Sequence, residues 1–569
     1  MAVSMMLSMG GFMSNEVKAA EVPMVTDGVI QARGVWHRPN VTGTETNLQG
    51  VCDVLDTLQK TGINLVFLET FFHGMTIYRS DLIPYYTGFD AFDYSPYPDY
   101  LSAFVAEAQK RDIEVHAWVE DFYVGVNENY FTKNLRHWMM LTKAGSIRQS
   151  EGEDWGGYLF LDPANPEVRQ YLIRFYDEIL TKFPQIAGLN LDYIRYPVSS
   201  QADDTGFTDV AMDGFAAENG IVFPENATRE DKVKMVSAQY GKWVTYRASQ
   251  VTTFVGEVFQ MVKSQHPGVL LSTAVFPEQG KSFGDKKQDF NTWLKNGYLD
   301  IITPMAYYDD IATLKGALKA MLPGLEDCYC YAGISPTYHS LSNDQVLAQM
   351  QTAVQTGADG FVFFGSQSIL NNQKYIDLLE ATIPTKTLLP HGQAKALFVA
   401  TAEKVQKVLS DAGEPQENVQ QLLQQLDDIA QTIEDNDVEK LEQAEKQMRL
   451  LVKYNLSSYL SEQGAGYVKQ DLDLLYRWIG VKATRLSTKT DRPNVDEEQP
   501  ADPEEPEPDK GPEEPQPSAP TQTPTQDSAQ NQQENVRPTK AIGLGAAVAA
   551  IAAIGVACFQ VIRKGRKKK

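Results

Sequence analysis

Carboxylate side chains recur at the ends of short apolar segments in the first two thirds of the chain. Glu69 ends one such segment, Glu120 ends the next, and Asp192 lies near the end of segment 188–197. Two carboxyl groups facing one cleft can cleave a glycosidic bond: one protonates the leaving oxygen, and the other attacks the sugar or activates water. Asp192 is therefore the first candidate catalytic residue, and Glu120 or Glu69 is the candidate second carboxylate.

Asp192 and Glu120 differ in their neighbours along the chain. Arg195 follows Asp192 by three positions, and its charge would favour the ionised carboxylate that suits a nucleophile or base. Glu120 has Trp118 two positions before it and no obvious cationic partner, which predicts a raised pKa and the role of acid. The alternatives are a structural ion pair between Asp192 and Arg195, and a Glu120 that only orients the substrate.

Aromatic and polar residues accompany these carboxylates along the chain. Flat aromatic rings offer large, rigid apolar faces that suit the C–H faces of sugars. The candidate substrate-binding residues are Trp36, Tyr78, His116, Trp118, Arg195, Tyr307 and Asp309. The alternative interpretation is that the aromatic residues pack in the core and that Asp309 and Asp310 cap a helix.

Residues 28–390 alternate short apolar segments with amphipathic ones, which predicts strands and helices in turn. The predicted strands are 33–36, 64–69, 113–120, 188–194, 269–275, 300–306, 329–334 and 359–364. Eight such units predict a (β/α)8 TIM barrel, whose functional site forms at the carboxyl ends of the strands. A doubly wound open sheet is the alternative, but no G-x-G-x-x-G motif follows the first predicted strand.

Several motifs resemble those of the glycosyl-hydrolase-like family 10 of bacterial proteins. The matching segments run in order along the chain and include Arg33-Gly-Val-Trp36, Tyr78-Arg79-Ser80-Asp81, His116-Ala-Trp118, Leu161-Asp162-Pro163 and the segment 188–197. The resemblance implies a (β/α)8 barrel that hydrolyses glycosidic bonds, with bacterial wall glycans among the expected substrates. Of the candidate catalytic residues, Asp192 is the one that the resemblance supports most firmly. Many family members carry Asn where this chain has Glu120, which leaves the second carboxylate open.

The composition changes after the predicted barrel. Residues 391–482 show long helical periodicity, which predicts a small helical bundle. We expect this bundle to pack beneath the barrel, and the alternative is a binding site for a protein or glycan partner. Residues 483–540 are rich in Pro and Glu and predict a disordered stalk. Residues 541–562 form an uncharged apolar run long enough for a transmembrane helix, and the basic residues 563–569 predict its cytoplasmic end.

The two ends of the chain together predict a location. Residues 1–27 resemble a signal peptide. With the C-terminal apolar run, they predict a single-pass protein of the cell membrane whose catalytic domain is extracellular. The net charge of −23 argues against a nucleic-acid-binding protein. Four cysteines exclude a disulfide scaffold, and neither Cys nor His shows a metal-ligand spacing, so we expect no metal and no cofactor.

The sequence therefore predicts a membrane-anchored extracellular glycoside hydrolase that acts on a polysaccharide. Two other classes of function are alternatives: a surface protein that binds glycans without cleaving them, and an envelope scaffold whose helical bundle recruits a protein partner. Two carboxylates facing one cleft would favour the hydrolase, whereas a single carboxylate flanked by aromatic rings would favour a binding protein.

Overall fold

The described part of the chain covers the predicted barrel and the helical region. The computed structural model describes residues 29–487, apart from 41–42, 87, 90–91, 198–200, 326 and 383–386. The signal-like segment 1–27, the predicted stalk beyond residue 487, the apolar run 541–562 and the basic tail lie outside the described residues. Of the helices within the described ranges, none combines the length and the apolar character that a membrane span requires.

Within the described residues, nine β-strands form one sheet. They are β1 Ala32–His37, β2 Leu65–Phe72, β3 Met75–Thr76, β4 Glu114–Val119, β5 Gly188–Leu191, β6 Leu270–Val275, β7 Ile301–Pro304, β8 Tyr329–Ile334 and β9 Gly360–Phe364. All except β3 are parallel to their neighbours, and β1 pairs with both β2 and β9. These eight strands therefore close into a barrel, and β3 adds a short antiparallel extension to β2.

Helices follow the barrel strands and form the C-terminal region. In the barrel they are α1 Leu48–Lys60, α2 Tyr100–Gln109, α3 Tyr130–Asn134, α4 Pro166–Lys182, α5 Asp209–Asn219, α6 Arg229–Ser237, α7 Tyr240–Gln265, α8 Gln279–Lys281, α9 Phe290–Lys295, α10 Ile311–Met321, α11 Asn343–Thr356, α12 Gln367–Leu370 and α13 Gln373–Thr382. After the barrel come α14 Ala394–Asp411, α15 Gln416–Thr432, α16 Val438–Leu450, α17 Leu456–Tyr459 and α18 Glu462–Leu486.

The eight predicted strands are confirmed, and the closed barrel excludes the doubly wound sheet. Local chemistry explains several element ends. α4 begins with Pro166, after Asn165 accepts a hydrogen bond from the Glu167 amide, and its apolar stripe is buried. The predicted strand 188–194 ends earlier, at Leu191. Tyr193 has a φ of 50°, a left-handed conformation that an extended strand cannot continue through.

Alternation along β4 sends four side chains to the same face. Glu114, His116, Trp118 and Glu120 occupy every second position, from the start of the strand to just beyond its end. At ~3.3 Å per residue, Glu114 and Glu120 are about 20 Å apart along an extended chain. One strand therefore supplies polar groups to two separate places, the amino end and the carboxyl end of the barrel.

Helix α18 packs against the amino end of the barrel. The hydroxyl of Tyr329, the first residue of β8, donates to the carbonyl of Trp478 at 3.1 Å. The Trp478 indole N–H donates to Asp359, just before β9, at 2.6 Å, and Arg477 forms an ion pair with the same carboxylate. The apolar core is continuous from the barrel interior into the helical region. These contacts favour the packing role expected for this region.

Candidate active site

Three buried carboxyl groups lie at the carboxyl end of the barrel. Glu69, Glu120 and Asp192 come from the ends of the neighbouring strands β2, β4 and β5. The side chains of Glu69 and Glu120 are 1% exposed, and Asp192 is 8% exposed. In the sheet register Glu69 is opposite Trp118, and Trp118 is opposite Asn190, two residues before Asp192. The structure thus brings the three predicted carboxylates to one mouth of the barrel.

Arg38 joins two of these carboxylates. It directly follows β1, and its Nε and Nη2 each donate to a Glu69 oxygen at 2.5 Å. Its Nη2 also lies 3.7 Å from Glu120 Oε1, and its guanidinium lies 5.6 Å from the centre of the Trp118 ring. The Arg38 side chain is 34% exposed although both glutamates are buried. Solvent therefore reaches this group of charges from the guanidinium side.

Two N–H groups donate to the Asp192 carboxylate. The indole N–H of Trp118 reaches Oδ2 at 3.1 Å, and the backbone N–H of Tyr193 reaches Oδ1 at 2.6 Å. Hydrogen bonds donated to a carboxylate favour its ionised form. Burial raises the pKa of Asp192, and the Tyr193 amide, the charge of Arg195 and the Trp118 indole oppose that rise.

Arg195 does not form the ion pair with Asp192 that was the alternative to a catalytic role. Its two terminal nitrogens form a bidentate ion pair with Glu151, with distances of 2.9 and 3.0 Å. The alternative of a direct Asp192–Arg195 ion pair is therefore wrong. The positive charge of Arg195 still opposes the rise in the pKa of Asp192, as its place in the sequence predicts, but no hydrogen bond joins the two side chains among the described residues.

Glu120 tends to hold a proton. Burial raises its pKa well above the ordinary value, and the negative charge of Glu69 adds to the rise. Arg38 and the backbone N–H of His73, which donates to Glu120 Oε2 at 2.7 Å, oppose it. Burial also raises the pKa of Glu69, against the opposing charge of Arg38. A carboxyl that stays protonated near neutral pH can act as a general acid.

Three of the predicted aromatic residues surround the mouth, and Phe364 contacts all of them. Its ring centre lies 5.2 Å from that of Tyr307, 6.2 Å from Trp36 and 6.5 Å from Trp118. Trp36 is buried, and its indole N–H donates to Asn190 at 3.1 Å. Tyr307 is only half-buried, so its ring keeps a surface that a substrate can contact.

The structure places Tyr78 and His116 away from the carboxylates. The Tyr78 hydroxyl donates to Glu178 on α4 at 2.9 Å, so this ring packs toward the helical layer. His116 points inward two positions before Trp118, and its Nε2 lies 2.8 Å from Glu114 at the amino end of β4. There, it lies close to Glu114 and His391. All three side chains are of types that can bind a metal ion.

The two aspartates after β7 are both exposed. Asp310 caps α10 by accepting a hydrogen bond from the Thr313 amide at 2.7 Å, which confirms the capping interpretation for this residue. Asp309 precedes it at the carboxyl end of the barrel. Its predicted contact with a substrate stays a prediction.

Sequence reasoning missed Arg38, Asn190 and Glu151. Two of them carried a usable signal: Arg38 lies two positions after Trp36 at a predicted strand end, and Asn190 shares a face with Asp192 by alternation. Glu151 lies in the connection between β4 and α4, with no periodic pattern around it. Only the folded chain brings it to Arg195.

Comparison with known proteins gives related sequences and folds. The sequence model of the family described as glycosyl hydrolase-like 10 matches residues 31–323. Glycosyl hydrolase DigH of Escherichia coli strain K12 is 24% identical over 282 residues, which cover 46% of this chain and 58% of DigH. Glycosyl hydrolase YngK of Bacillus subtilis strain 168 is 23% identical over 295 residues, which cover 48% and 51%. The chain thus spans little more than half the length of these relatives.

Among solved structures, the glycoside hydrolase domain of PgaB (BpsB) from Bordetella bronchiseptica aligns with a TM-score of 0.43 and 11% identity. The alignment covers 62% of this chain and 99% of that domain.

Proposed function

The chain belongs to the glycosyl hydrolase-like 10 family, and from this premise we propose that its barrel hydrolyses glycosidic bonds. One observation carries the proposal: Glu69, Glu120 and Asp192 lie at one mouth of the barrel, and the charge of Asp192 raises the pKa of both glutamates. A binding protein has no need for several buried acids at one mouth, because each costs free energy to bury. A hydrolase needs an acid and a base or nucleophile.

The contacts of Asp192 and Glu120 support different roles for the two residues. Glu120 holds a proton and gives it to the glycosidic oxygen as the bond from that oxygen to the anomeric carbon breaks. Asp192, whose two N–H donors favour the ionised form, attacks the anomeric carbon or takes a proton from the water that attacks it. Glu69, paired with Arg38, keeps a negative charge near Glu120 and so supports its protonated form.

The stereochemical outcome depends on how far apart the two reacting carboxyl groups lie. Carboxyls about 5–5.5 Å apart retain the anomeric configuration through a covalent intermediate, and those about 6.5–9.5 Å apart leave room for water and invert it. The anomer of the first-formed product, followed by NMR, distinguishes the two.

The substrate class follows from the accessible aromatic surface. Tyr307 and Tyr338 are half-buried, and their ring centres lie 5.8 Å apart at the barrel mouth. Adjacent rings of this kind suit consecutive sugar units of a polysaccharide. Trp36 and Trp118, although predicted as sugar contacts, are buried, so we assign them to holding Asn190 and Asp192 through their indole N–H groups.

The location of the substrate rests on the sequence beyond residue 487. The apolar run 541–562 and the basic residues after it support a membrane anchor with the barrel outside the cell. The corresponding substrate is a polysaccharide of the cell envelope, including wall glycan. Recovery of the chain in the membrane fraction of the source cells, with the barrel degraded by added protease in intact cells, is the expected result.

The direct test is to incubate the full chain with purified wall glycans and a polysaccharide panel and to measure new reducing ends. Asp192→Asn should abolish cleavage while circular dichroism and thermal unfolding show an intact fold. Asp213→Asn, an exposed aspartate on α5, is the matched control and should retain activity. Near-wild-type turnover of Asp192→Asn would exclude Asp192 from the reaction. Tight glycan binding without cleavage by the wild type would favour the binding-protein alternative.

A further inference from the structure

Two imidazoles and one carboxylate meet at the amino end of the barrel, the end opposite Asp192. Glu114 begins β4, His116 follows on the same face, and His391 precedes α14. One potential ligand atom from each lies within 4.8 Å of the others. Glu114 Oε1 lies 2.8 Å from His116 Nε2 and 2.7 Å from His391 Nε2, so this oxygen is shared by the two rings.

The rest of the fold fixes both imidazole rings. The Tyr331 hydroxyl, from β8, forms a hydrogen bond with His391 Nδ1. When Nδ1–H donates to this hydroxyl oxygen, the Nε2 lone pair of His391 faces the cluster, which is the arrangement typical of metal-ligating histidines. His116 is fully buried, and its ring packs against Gly188, where a Cβ would lie 2.2 Å from Nδ1. Packing therefore holds its Nε2 toward Glu114.

One polar atom of the cluster is left without a partner. Within the described residues, the buried Nδ1 of His116 makes no hydrogen bond. The His116 ring is therefore oriented by packing and by the contact of its Nε2 with Glu114, and not by hydrogen bonds at both nitrogens. To present its Nε2 lone pair to an ion, this ring carries its proton on Nδ1, which faces Gly188 and finds no acceptor within the described residues, so packing alone fixes its orientation.

The charge of the cluster also favours a cation. Over the described ranges, the carboxylate of Glu114 has ion-pair contacts with these two imidazoles and no contact with a lysine or arginine. The Glu114 side chain is 26% exposed, whereas those of His116 and His391 are 0% and 3% exposed. The cluster is therefore open on one side, where an ion can enter and a water can bind.

We propose that Glu114, His116 and His391 bind one Zn²⁺ ion, with a water as fourth ligand. Two imidazoles and a carboxylate form a ligand set that suits this ion. Ligand bonds of about 2.0–2.1 Å place tetrahedral ligand atoms about 3.3 Å apart, so each oxygen–nitrogen pair would open by about 0.5 Å. The ion would link β4 to the segment that leads into the helical region.

This site lies apart from the proposed chemistry of the barrel. Glu114 is about 20 Å along the chain from Glu120, at the opposite end of β4. The sequence-based expectation of no metal rested on the absence of a ligand spacing, and Glu114 and His391 are 277 positions apart. Ligands so far apart in the chain form no short sequence motif, so the spacing of residues could not predict this site.

The first test uses the wild-type full chain, stripped with a chelator and titrated with Zn²⁺ alone. We expect one zinc ion per chain by calorimetry and elemental analysis. The Tm should rise by at least about 2 °C, because an ion that binds only the folded state stabilises it. No stoichiometric binding and an unchanged Tm would overturn the proposal and leave a hydrogen-bonded cluster. This result does not depend on whether any variant folds or on glycan cleavage.

Variants then assign the ligands. Glu114→Gln and His391→Ala should lose stoichiometric zinc, and Tyr331→Phe should weaken it by about 10–100-fold, as loss of a hydrogen bond to a ligand typically does. His266→Ala is the matched control, because His266 pairs with Asp177 at 2.8 Å on the outside of the barrel. Zinc binding by His391→Ala equal to that of the wild type would contradict the assignment.

Discussion

The indole N–H of Trp118 donates to Asp192 Oδ2 at 3.1 Å, which joins β4 to β5 at the mouth of the barrel. Trp118 is buried, so this aromatic residue acts on the carboxylate next to it through its polar edge and not as a platform for sugar. The same strand places Glu120 two positions further on. The carboxyl end of β4 thus carries the candidate acid, Glu120, and holds the candidate base, Asp192, through the Trp118 indole.

Trp118→Phe removes this donor while keeping an aromatic ring in the barrel. Because the N–H favours the ionised carboxylate, its loss should raise the pKa of Asp192 further. The acidic limb of the kcat/KM–pH profile should move to higher pH by about one unit, since a hydrogen bond to a charged group contributes about 1.5–3 kcal/mol. Trp155→Phe, which changes a half-buried tryptophan outside this contact, is the control. An unshifted acidic limb would show that the indole does not set the charge of Asp192.

Glu120→Gln should stabilise the protein at alkaline pH. The folded state holds the Glu120 proton to a higher pH than the unfolded state, because burial and Glu69 raise its pKa. Between the two pKa values the unfolded state therefore binds fewer protons, and wild-type stability falls as pH rises. Urea unfolding should show that the variant is more stable than the wild type at pH 8, by about 1.36 kcal/mol for each unit by which folding raises the pKa of Glu120. The gain should vanish below about pH 4, where Glu is protonated in both states. A variant that is less stable at pH 8 would contradict this.

Arg38→Ala should destabilise the fold near neutral pH. It leaves the buried Glu69 without the cation that holds both of its oxygens. Because Arg38 is partly exposed, we expect a loss of about 1–2 kcal/mol in denaturant unfolding, less than for a fully buried pair.

Arg38→Lys is the companion variant and should fall between Ala and the wild type. It keeps the positive charge but cannot donate through two parallel N–H groups. Equal stabilities for the Ala and Lys variants would show that the charge of Arg38 does not contribute to stability. If both variants were as stable as the wild type, the Arg38–Glu69 ion pair would contribute nothing to the free energy of unfolding.

Trp478→Phe should loosen the helical region without changing the mouth of the barrel. The variant removes the N–H that donates to Asp359 at 2.6 Å, at the amino end of β9. Hydrogen exchange of α14–α18 should accelerate, and the free energy of unfolding should fall by about 1–3 kcal/mol. Tyr467→Phe changes an exposed ring on the same helix and should have little effect. Unchanged exchange rates in Trp478→Phe would mean that other contacts hold α18 to the barrel.

The sequence by itself determined the strands and the polar residues at their ends. A period of two along β4 predicts that His116, Trp118 and Glu120 share one face, because side-chain alternation is a local property of the backbone. The apolar segment that forms β5 likewise predicts that Asp192 lies near its carboxyl end. The carboxylates could therefore be identified before any contact between strands was known.

Only the tertiary structure decided which partners these residues meet. His116 shares a face with Glu120 yet lies with Glu114 and His391 at the other end of the barrel, and Arg195 pairs with Glu151 instead of Asp192. The Glu114–His391 and Glu151–Arg195 contacts join residues that lie 277 and 44 positions apart in sequence. Their proximity depends on the closure and register of the whole barrel, which no short-range pattern of residues contains.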